Sequence, residues 1–297
     1  MATMIALVGD QPLPNVLPVR HYHPSNVLLA YTEKTRQKYE YQQATLQRDC
    51  HVYGLETDPY DIPAIVRALN AKLDEQEALA SQPLAFNLTG GTKTMSLAAY
   101  QVAQQRGASM IYIQSEGKRT RVYHYAWKQQ QLKATGSELL PECITLRDVF
   151  DLYFGPNNWE DHGPSSGTGG AFENTLAAML RRHGYEVMIG VKAMKNQIDV
   201  DVAVRLGNQY GIIEAKMGEN GKKLDGIKQL STAARLLGTY SQTFYAITVL
   251  PTSDHKMITE ASNIQVISLS GYNATTNRLS ATDEAVLLAS IEKALKG

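Results

Sequence analysis

Cysteine is nearly missing: Cys50 and Cys143 are the only two in 297 residues, they lie far apart, and neither sits in a CxxC or Cys/His cluster. That excludes a disulfide framework and a zinc finger or ribbon as the source of stability. Net charge is missing too, with 29 Lys plus Arg against 29 Asp plus Glu. No field of the whole molecule therefore draws it to nucleic acid or an anionic membrane, and any such contact must come from a local groove. No apolar run approaches the roughly 18 residues of a spanning helix, and the opening "MATMIALVGD" has no basic segment ahead of its short apolar stretch. The expectation is a cytoplasmic protein without membrane contact. No repeat of solenoid length recurs, and the nearest histidine pair, His21 and His23, has no further metal ligand beside it.

What is present is alternation. The short β-branched or aromatic runs "MIALVGD", "NVLLAYT", "HVYGLET", "PLAFNLTGG", "SMIYIQS" and "RVYHYAW" read as strands. Between them, "TRQKYEYQQATLQRD", "DIPAIVRALNAKLDEQEALA" and "TKTMSLAAYQVAQQRG" carry apolar residues near the helical period. This predicts a mostly parallel, Rossmann-like α/β domain over residues 1–150. The Pro-, Gly- and Ser-rich stretch from Pro156 to Gly170 predicts a linker, set at 151–170, with Trp159 packing at the joint. A second α/β domain over 171–297 follows. It has a helix whose Phe172, Leu176, Met179 and Leu180 form one stripe, then "YEVMIGVKA", "QIDVDVAVRL" and "YGIIEAKMG", the last two joined by a Gly207–Gln209 hairpin.

In open α/β sheets, ligands gather beyond the carboxyl ends of strands, where helix N-termini present free N–H groups. "NLTGGTKTM" sits at such a place: Gly90 and Gly91 allow close backbone approach, Thr89, Thr92 and Thr94 bring hydroxyls, and Lys93 brings charge. The loop after the first strand brings Gln11, Pro12 and Asn15 to the same edge. A triphosphatase P-loop is disfavoured because Lys93 follows Thr92 rather than Gly, and the dinucleotide GxGxxG is not here. A turn of this composition also arises wherever a chain simply reverses into a capped helix, so local sequence leaves both readings open.

In the second half, period two puts Asp199 and Asp201 on one face of their strand and Ile198, Val200, Val202 and Val204 on the other. Glu214 and Lys216 share a face of the next strand, and the hairpin brings them across from the two aspartates. Carboxylates beside a lysine suit a Mg²⁺ or Mn²⁺ site acting on a phosphodiester, with Glu173 on the preceding helix completing the shell. Lys192, Lys195, Lys222, Lys223 and Lys228 bracket this acidic face.

The order of these pieces, Glu173 on a helix, Asp199 on a strand, Glu214-Ala-Lys216 on the next and a helix with Lys228 and Gln229, resembles the core of restriction-endonuclease-like PD-(D/E)xK nucleases. Joined to "NLTGGTKTM", nearly the whole chain resembles the CRISPR-associated ancillary nucleases, which couple a CARF sensor to such an effector. The resemblance implies a homodimer that binds a cyclic oligoadenylate, usually cyclic tetra-adenylate. It places the ligand on Gln11, Pro12, Asn15 and Thr89, Gly90, Gly91, Thr92, Lys93 and Thr94, with Thr32 as a further candidate. It also implies Glu173, Asp199, Glu214 and Lys216 as catalytic, the first three as ligands of Mg²⁺ or Mn²⁺, and DNA or RNA as substrate. Where the family has Asn-Glu-hydrophobic-Asp this chain reads Asn196-Gln197-Ile198-Asp199. That departure leaves open whether Asp199 or Asp201 is the working aspartate. A ligand-responsive protein that holds nucleic acid without cutting, and a nuclease outside messenger control, stand as alternatives.

Overall fold

The computed structural model describes residues 3–116 and 119–295. They divide into two compact units, residues 1–144 and 145–297. Among the described residues no helix is long and apolar enough to cross a membrane.

The first unit runs β1 (Thr3–Leu7), α1 (Leu13–Tyr22), β2 (Asn26–Tyr31), α2 (Arg36–Leu46), β3 (His51–Glu56), α3 (Ile62–Glu75), α4 (Glu77–Ala80), β4 (Leu84–Asn87), α5 (Lys93–Gln105), β5 (Ser109–Glu116), β6 (Arg119–Lys128) and β7 (Gln131–Leu139). Its sheet has the order β3-β2-β1-β4-β5-β6-β7. The first five of these strands run parallel, and β6 and β7 return antiparallel. β1 and β2 are buried at every position, as strands covered on both faces must be. The α3–α5 side of the sheet packs Ile5, Leu7, Leu28, Phe86, Leu69 and Val102 into one core. The chain builds outward from β1 in one direction, then resumes with β4 on the other side of β1. The gap between these two strands is therefore a topological switch point.

Two elements depart from the sequence expectation. The stretch after β1 is a loop only to Pro12, and α1 begins at Leu13 although Pro18 lies inside it. Proline is tolerated in a first turn, and burial of Val16, Leu17 and Val19 sustains the helix where Pro18 removes a hydrogen bond. β7 is polar and exposed along nearly its whole length, which is the character of a sheet edge rather than of a core strand.

The second unit runs α6 (Leu146–Phe154), β8 (Trp159–Asp161), α7 (Gly167–Arg182), β9 (Glu186–Ala193), β10 (Ile198–Leu206), β11 (Gln209–Lys216), α8 (Asp225–Leu236), β12 (Gln242–Ile247), α9 (Ser253–Ala261), β13 (Ile264–Ser268) and α10 (Ala281–Leu295). Its sheet has the order β13-β12-β11-β10-β9-β8. Strands β8 to β11 form antiparallel ladders, while β11, β12 and β13 run parallel. On one face α7 and α10 bury Phe172, Leu176, Val202, Val204, Ile213, Phe244 and Leu287 in a single core. α8 covers part of the other.

The expected linker is corrected: Trp159–Asp161 pairs with β9 inside the second sheet, and α7 starts at Gly167. The domain boundary moves accordingly from 150 to Ile144/Thr145, where Thr145 and Asp148 form a capping box that opens α6. Gly163 and Ser165 lie in the loop between β8 and α7, and Gly167, Gly169 and Gly170 belong to α7 itself. The Trp159 indole N–H donates to Asp151 at 2.8 Å, and its ring lies 5.1 Å from that of Phe150.

At the switch point a methyl on Gly90 would lie 2.0 Å from the Leu7 carbonyl oxygen, which is backbone and cannot rotate away. Gly90→Ala is expected to cost about 2 kcal/mol or more in denaturant titrations. Gly107→Ala, at φ +59° with open space around it, is expected to cost only about 1 kcal/mol. Equal losses would count against the close approach.

Candidate functional site

In the first unit the loops after β1 and β4 meet at the switch point. Gly90 passes against Leu7, Gly9 lies against Gly91, and Gly91 turns the chain at φ +71° into α5. Thr92 caps that helix, its hydroxyl oxygen accepting from the Met95 N–H at 3.1 Å and its hydroxyl donating to the Pro59 carbonyl at 2.8 Å. Thr94 donates to the same carbonyl at 2.5 Å. Thr89 donates to Asn87 and accepts from the Ile113 N–H, so it braces the turn from below.

Most of the expected hydroxyls thus hold the turn in shape, and the surface they leave is backbone at the start of α5 with the exposed Lys93. Gln11 is half-buried beside it and Pro12 is buried. Asn15 is not a surface group. It is fully buried on α1, and its amide donates to the Leu7 carbonyl at 3.0 Å and to Gln42 at 3.1 Å. Thr32 is likewise buried and engaged, in a capping box with Thr35. Sequence reading missed Gly9, Asn87 and Pro59, whose roles arise only from loops that are distant in the chain.

In the second unit the period-two expectation holds along both strands. Val200, Val202, Ile213 and Ala215 are buried, and Ala215 joins Val202 and Ile213 in the α7–α10 core, while Asp199, Asp201, Glu214 and Lys216 take the opposite face. The β10–β11 ladder ends at Val202–Ile213, and just beyond it the Ala215 N–H donates to the Asp201 carboxylate at 2.8 Å. Lys216 then closes on two acids, with Nζ 3.1 Å from Asp201 and 2.6 Å from Glu214. Asp201 is the inner aspartate, with a side chain 14% exposed, whereas that of Asp199 is 48% exposed and faces Lys192 at 3.9 Å.

Asp199, Asp201 and Lys216, but not the buried Glu214, open onto a cavity of about 550 Å³ that Glu173, Lys192 and His162 also line. Glu173 reaches it from α7, but Ser165 takes both carboxylate oxygens, through its N–H at 3.1 Å and its hydroxyl at 3.0 Å. Among the described residues no three acidic, imidazole or thiol groups converge as a ready metal cage. The ammonium of Lys216 stands between Asp201 and Glu214. Of the bracketing lysines, Lys222 pairs with Glu219 at 2.6 Å and Lys228 with Asp225 at 3.7 Å, which reduces the charge they offer a polyanion. Ser165 and His162, in the stretch read as a linker, carried no sequence signal for this site.

Burial raises Glu214 to about 7, with the neighbouring Asp201 charge adding to it and Lys216 opposing. For Lys216, burial works against the charged form, but Asp201 and Glu214 outweigh it and hold the ammonium well above its ordinary range. The site is therefore an ion cluster with one more acid than base, and Glu214 carries the strain.

The sheet order and the glycine turn define the first unit as an open α/β domain with a topological switch point between β1 and β4. Residues 3–143 match the family model described as the Card1 CARF domain, and the first unit is a CARF domain. Over its full length the chain is similar in structure to Can2 from Sulfobacillus thermosulfidooxidans, solved in complex with cyclic tetra-adenylate, at 16% identity and TM-score 0.75 with 100% of each chain covered. It is also similar to protein VC1899 from Vibrio cholerae, at 12% identity and TM-score 0.72, covering 99% of this chain and 98% of that one. A type III CRISPR defence DNA nuclease activated by cyclic oligoadenylate matches at 16% identity and TM-score 0.66, over 97% of this chain and 51% of that one. At such identities the likeness carries the fold, a CARF domain followed by a second α/β domain. No curated protein matches the sequence.

The raised Glu214 sets a pH dependence with a definite sign. The unfolded chain releases this proton near 4.5, the folded chain near 7, so its contribution is present in full below about 4.5 and is lost as pH rises through about 7. Glu214→Gln is expected to gain stability relative to wild type between pH 5 and pH 8, by up to about 3 kcal/mol. Thermal unfolding of both proteins across that range measures it, and parallel curves would contradict the assignment.

Proposed function

We propose that the CARF domain binds a cyclic oligoadenylate between the β1 and β4 loops, and that the second unit is a metal-dependent nuclease switched on by that ligand. Supporting the first half are the Card1 family match and the exposed start of α5, where backbone N–H groups and Lys93 suit phosphate. Two copies would share a ring nucleotide at a twofold axis, as a homodimer of sensors requires. The full-length likeness to Can2, whose structure holds cyclic tetra-adenylate, makes that ring the first to try.

The observation that carries the second half is the placing of Lys216, Asp201 and Glu214 on one sheet face beside Asp199, at an open cavity. Asp199 and Asp201 offer the hard oxygen ligands that Mg²⁺ or Mn²⁺ prefers, with space for several waters, and Glu173 and Glu214 stand behind them. When bound, such an ion steadies negative charge on a phosphodiester. Lys216 orients the attacking water or the phosphate oxygen it meets, and Lys192 offers a second positive charge to the strand. A messenger that binds better when the effector is competent shifts the equilibrium toward that state. The lysine held by two acids also favours a second reading, in which the unit grips nucleic acid in a ligand-dependent way without cutting.

The deciding experiment incubates purified protein with Mn²⁺, cyclic tetra-adenylate and labelled DNA or RNA. Wild type is expected to cut only with both ion and messenger, and Lys216→Ala to lose about 100-fold or more while still binding messenger. Nucleic acid retained without any cut strand would favour the second reading. Lys93→Ala is expected to weaken messenger affinity about tenfold, measured by calorimetry, and an unchanged affinity would move the ligand away from α5.

A further inference from the structure

The turn joining β9 to β10, from Met194 to Gln197, stands at the cavity end of that hairpin, because Lys192 before it and Asp199 after it both line the cavity. Met194, Lys195 and Asn196 take φ of +52°, +55° and +65° in succession. A residue with a side chain is disfavoured there because its Cβ crowds the backbone, whereas glycine adopts such angles freely. At the far end of β10 the next hairpin meets the same demand with Gly207, at φ +62°. The cavity-end turn instead keeps three side chains where glycine would be easier, which implies a use for them.

Backbone holds the turn in one shape. The Met194 N–H donates to the Asn158 carbonyl at 3.0 Å, and the Gln197 N–H donates to the Met194 carbonyl at 3.3 Å. All four residues are exposed, and among the described residues none of their side chains has a hydrogen-bond or ion-pair partner. Lys195 thus differs from Lys192, Lys222 and Lys228, which face acids. Met194 is 42% exposed, an apolar side chain left in water.

An apolar tip, one cation and two side-chain amides form a set suited to the minor groove of DNA. There the polar groups meet base-edge acceptors, and an apolar side chain wedges between base steps and kinks the duplex. A single strand would fit less well, since grooves for single strands stack bases on aromatic rings and no described Phe, Tyr or Trp lines this cavity. An RNA duplex has a shallow minor groove read by shape and by its 2′-hydroxyls, which a wedge does not use. Lys192 lies two residues before Met194 and Asp199 three after Asn196, spans of about 7 and 10 Å along extended chain. DNA rises about 3.4 Å per base pair, so a phosphate in the cavity leaves the turn two or three base steps away.

We propose that the substrate is double-stranded DNA and that the β9–β10 turn enters its minor groove, Met194 wedging between base pairs and Lys195 meeting a phosphate. The inference rests on the reading that the second unit holds nucleic acid at this cavity, and it is indifferent to whether a strand is then cut. The kink lets more of the duplex reach the protein than a straight one would.

The test uses full-length protein with cyclic tetra-adenylate and Ca²⁺, with intact strands confirmed on a gel. The probe is a DNA duplex of about 20 base pairs carrying 2-aminopurine in place of the adenines of one strand, a base that brightens when it unstacks. Wild type is expected to bind and brighten it. Met194→Ala and Met194→Gly are expected to bind the duplex and leave it dim, and Met194→Leu, which keeps an apolar wedge, to restore the signal. Because Met194→Gly also relieves the backbone, it supplies a folded variant should Met194→Ala fail by circular dichroism. Lys195→Ala is expected to lower the slope of log affinity against log salt by about 1, and an unchanged slope would overturn that contact. A wild-type complex that stays dim, or a Met194→Ala complex as bright as wild type, would overturn the wedge. Wild type that holds single strands but not the duplex overturns this inference alone, whereas wild type that binds messenger yet neither holds nor cuts any nucleic acid removes the nuclease reading with it.

Discussion

The ammonium of Lys216, held between Asp201 and Glu214, is the interaction around which the second unit's polar face is arranged. Two carboxylates on adjacent antiparallel strands, with Glu214 buried and Asp201 partly so, would repel one another and be costly to ionise without a compensating charge. The lysine supplies it. The raised Glu214 shows that the compensation is incomplete.

A comparable economy governs the CARF domain, though backbone rather than charge supplies it. Gly90 lets the turn after β4 lie directly on Leu7, and buried Asn15 and Asn87 tie α1 and β4 into that contact. Thr89, Thr92 and Thr94 point their hydroxyls inward to Asn87 and Pro59. A rigid turn of this kind presents the start of α5 in one orientation, which is what recognition of a phosphate by backbone N–H groups requires. The residues whose types suggest ligand contact are therefore largely those that hold the turn still.

Much of the architecture was legible because it follows from periodicity. The parallel strands, the β10–β11 hairpin and the shared face of Asp199, Asp201, Glu214 and Lys216 all come from alternation along a strand, a local property. The errors came where composition was asked to stand for tertiary context. Pro, Gly and Ser between 156 and 170 resemble a linker in the same way as docked turns do, and only pairing with β9 tells them apart. The loop expected through Asn15 gives way to α1 from Leu13, where burial, a non-local quantity, outweighs the local effect of the prolines.

By itself the chain's order of apolar and polar residues determined two α/β units, their strand faces and the identity of the acid and lysine group. Which aspartate closes on Lys216, that Ser165 occupies Glu173, that Asn15 is core and that His162 reaches the cavity were decided only by tertiary structure. Those relations depend on distances between segments that the local period of a strand or helix does not encode.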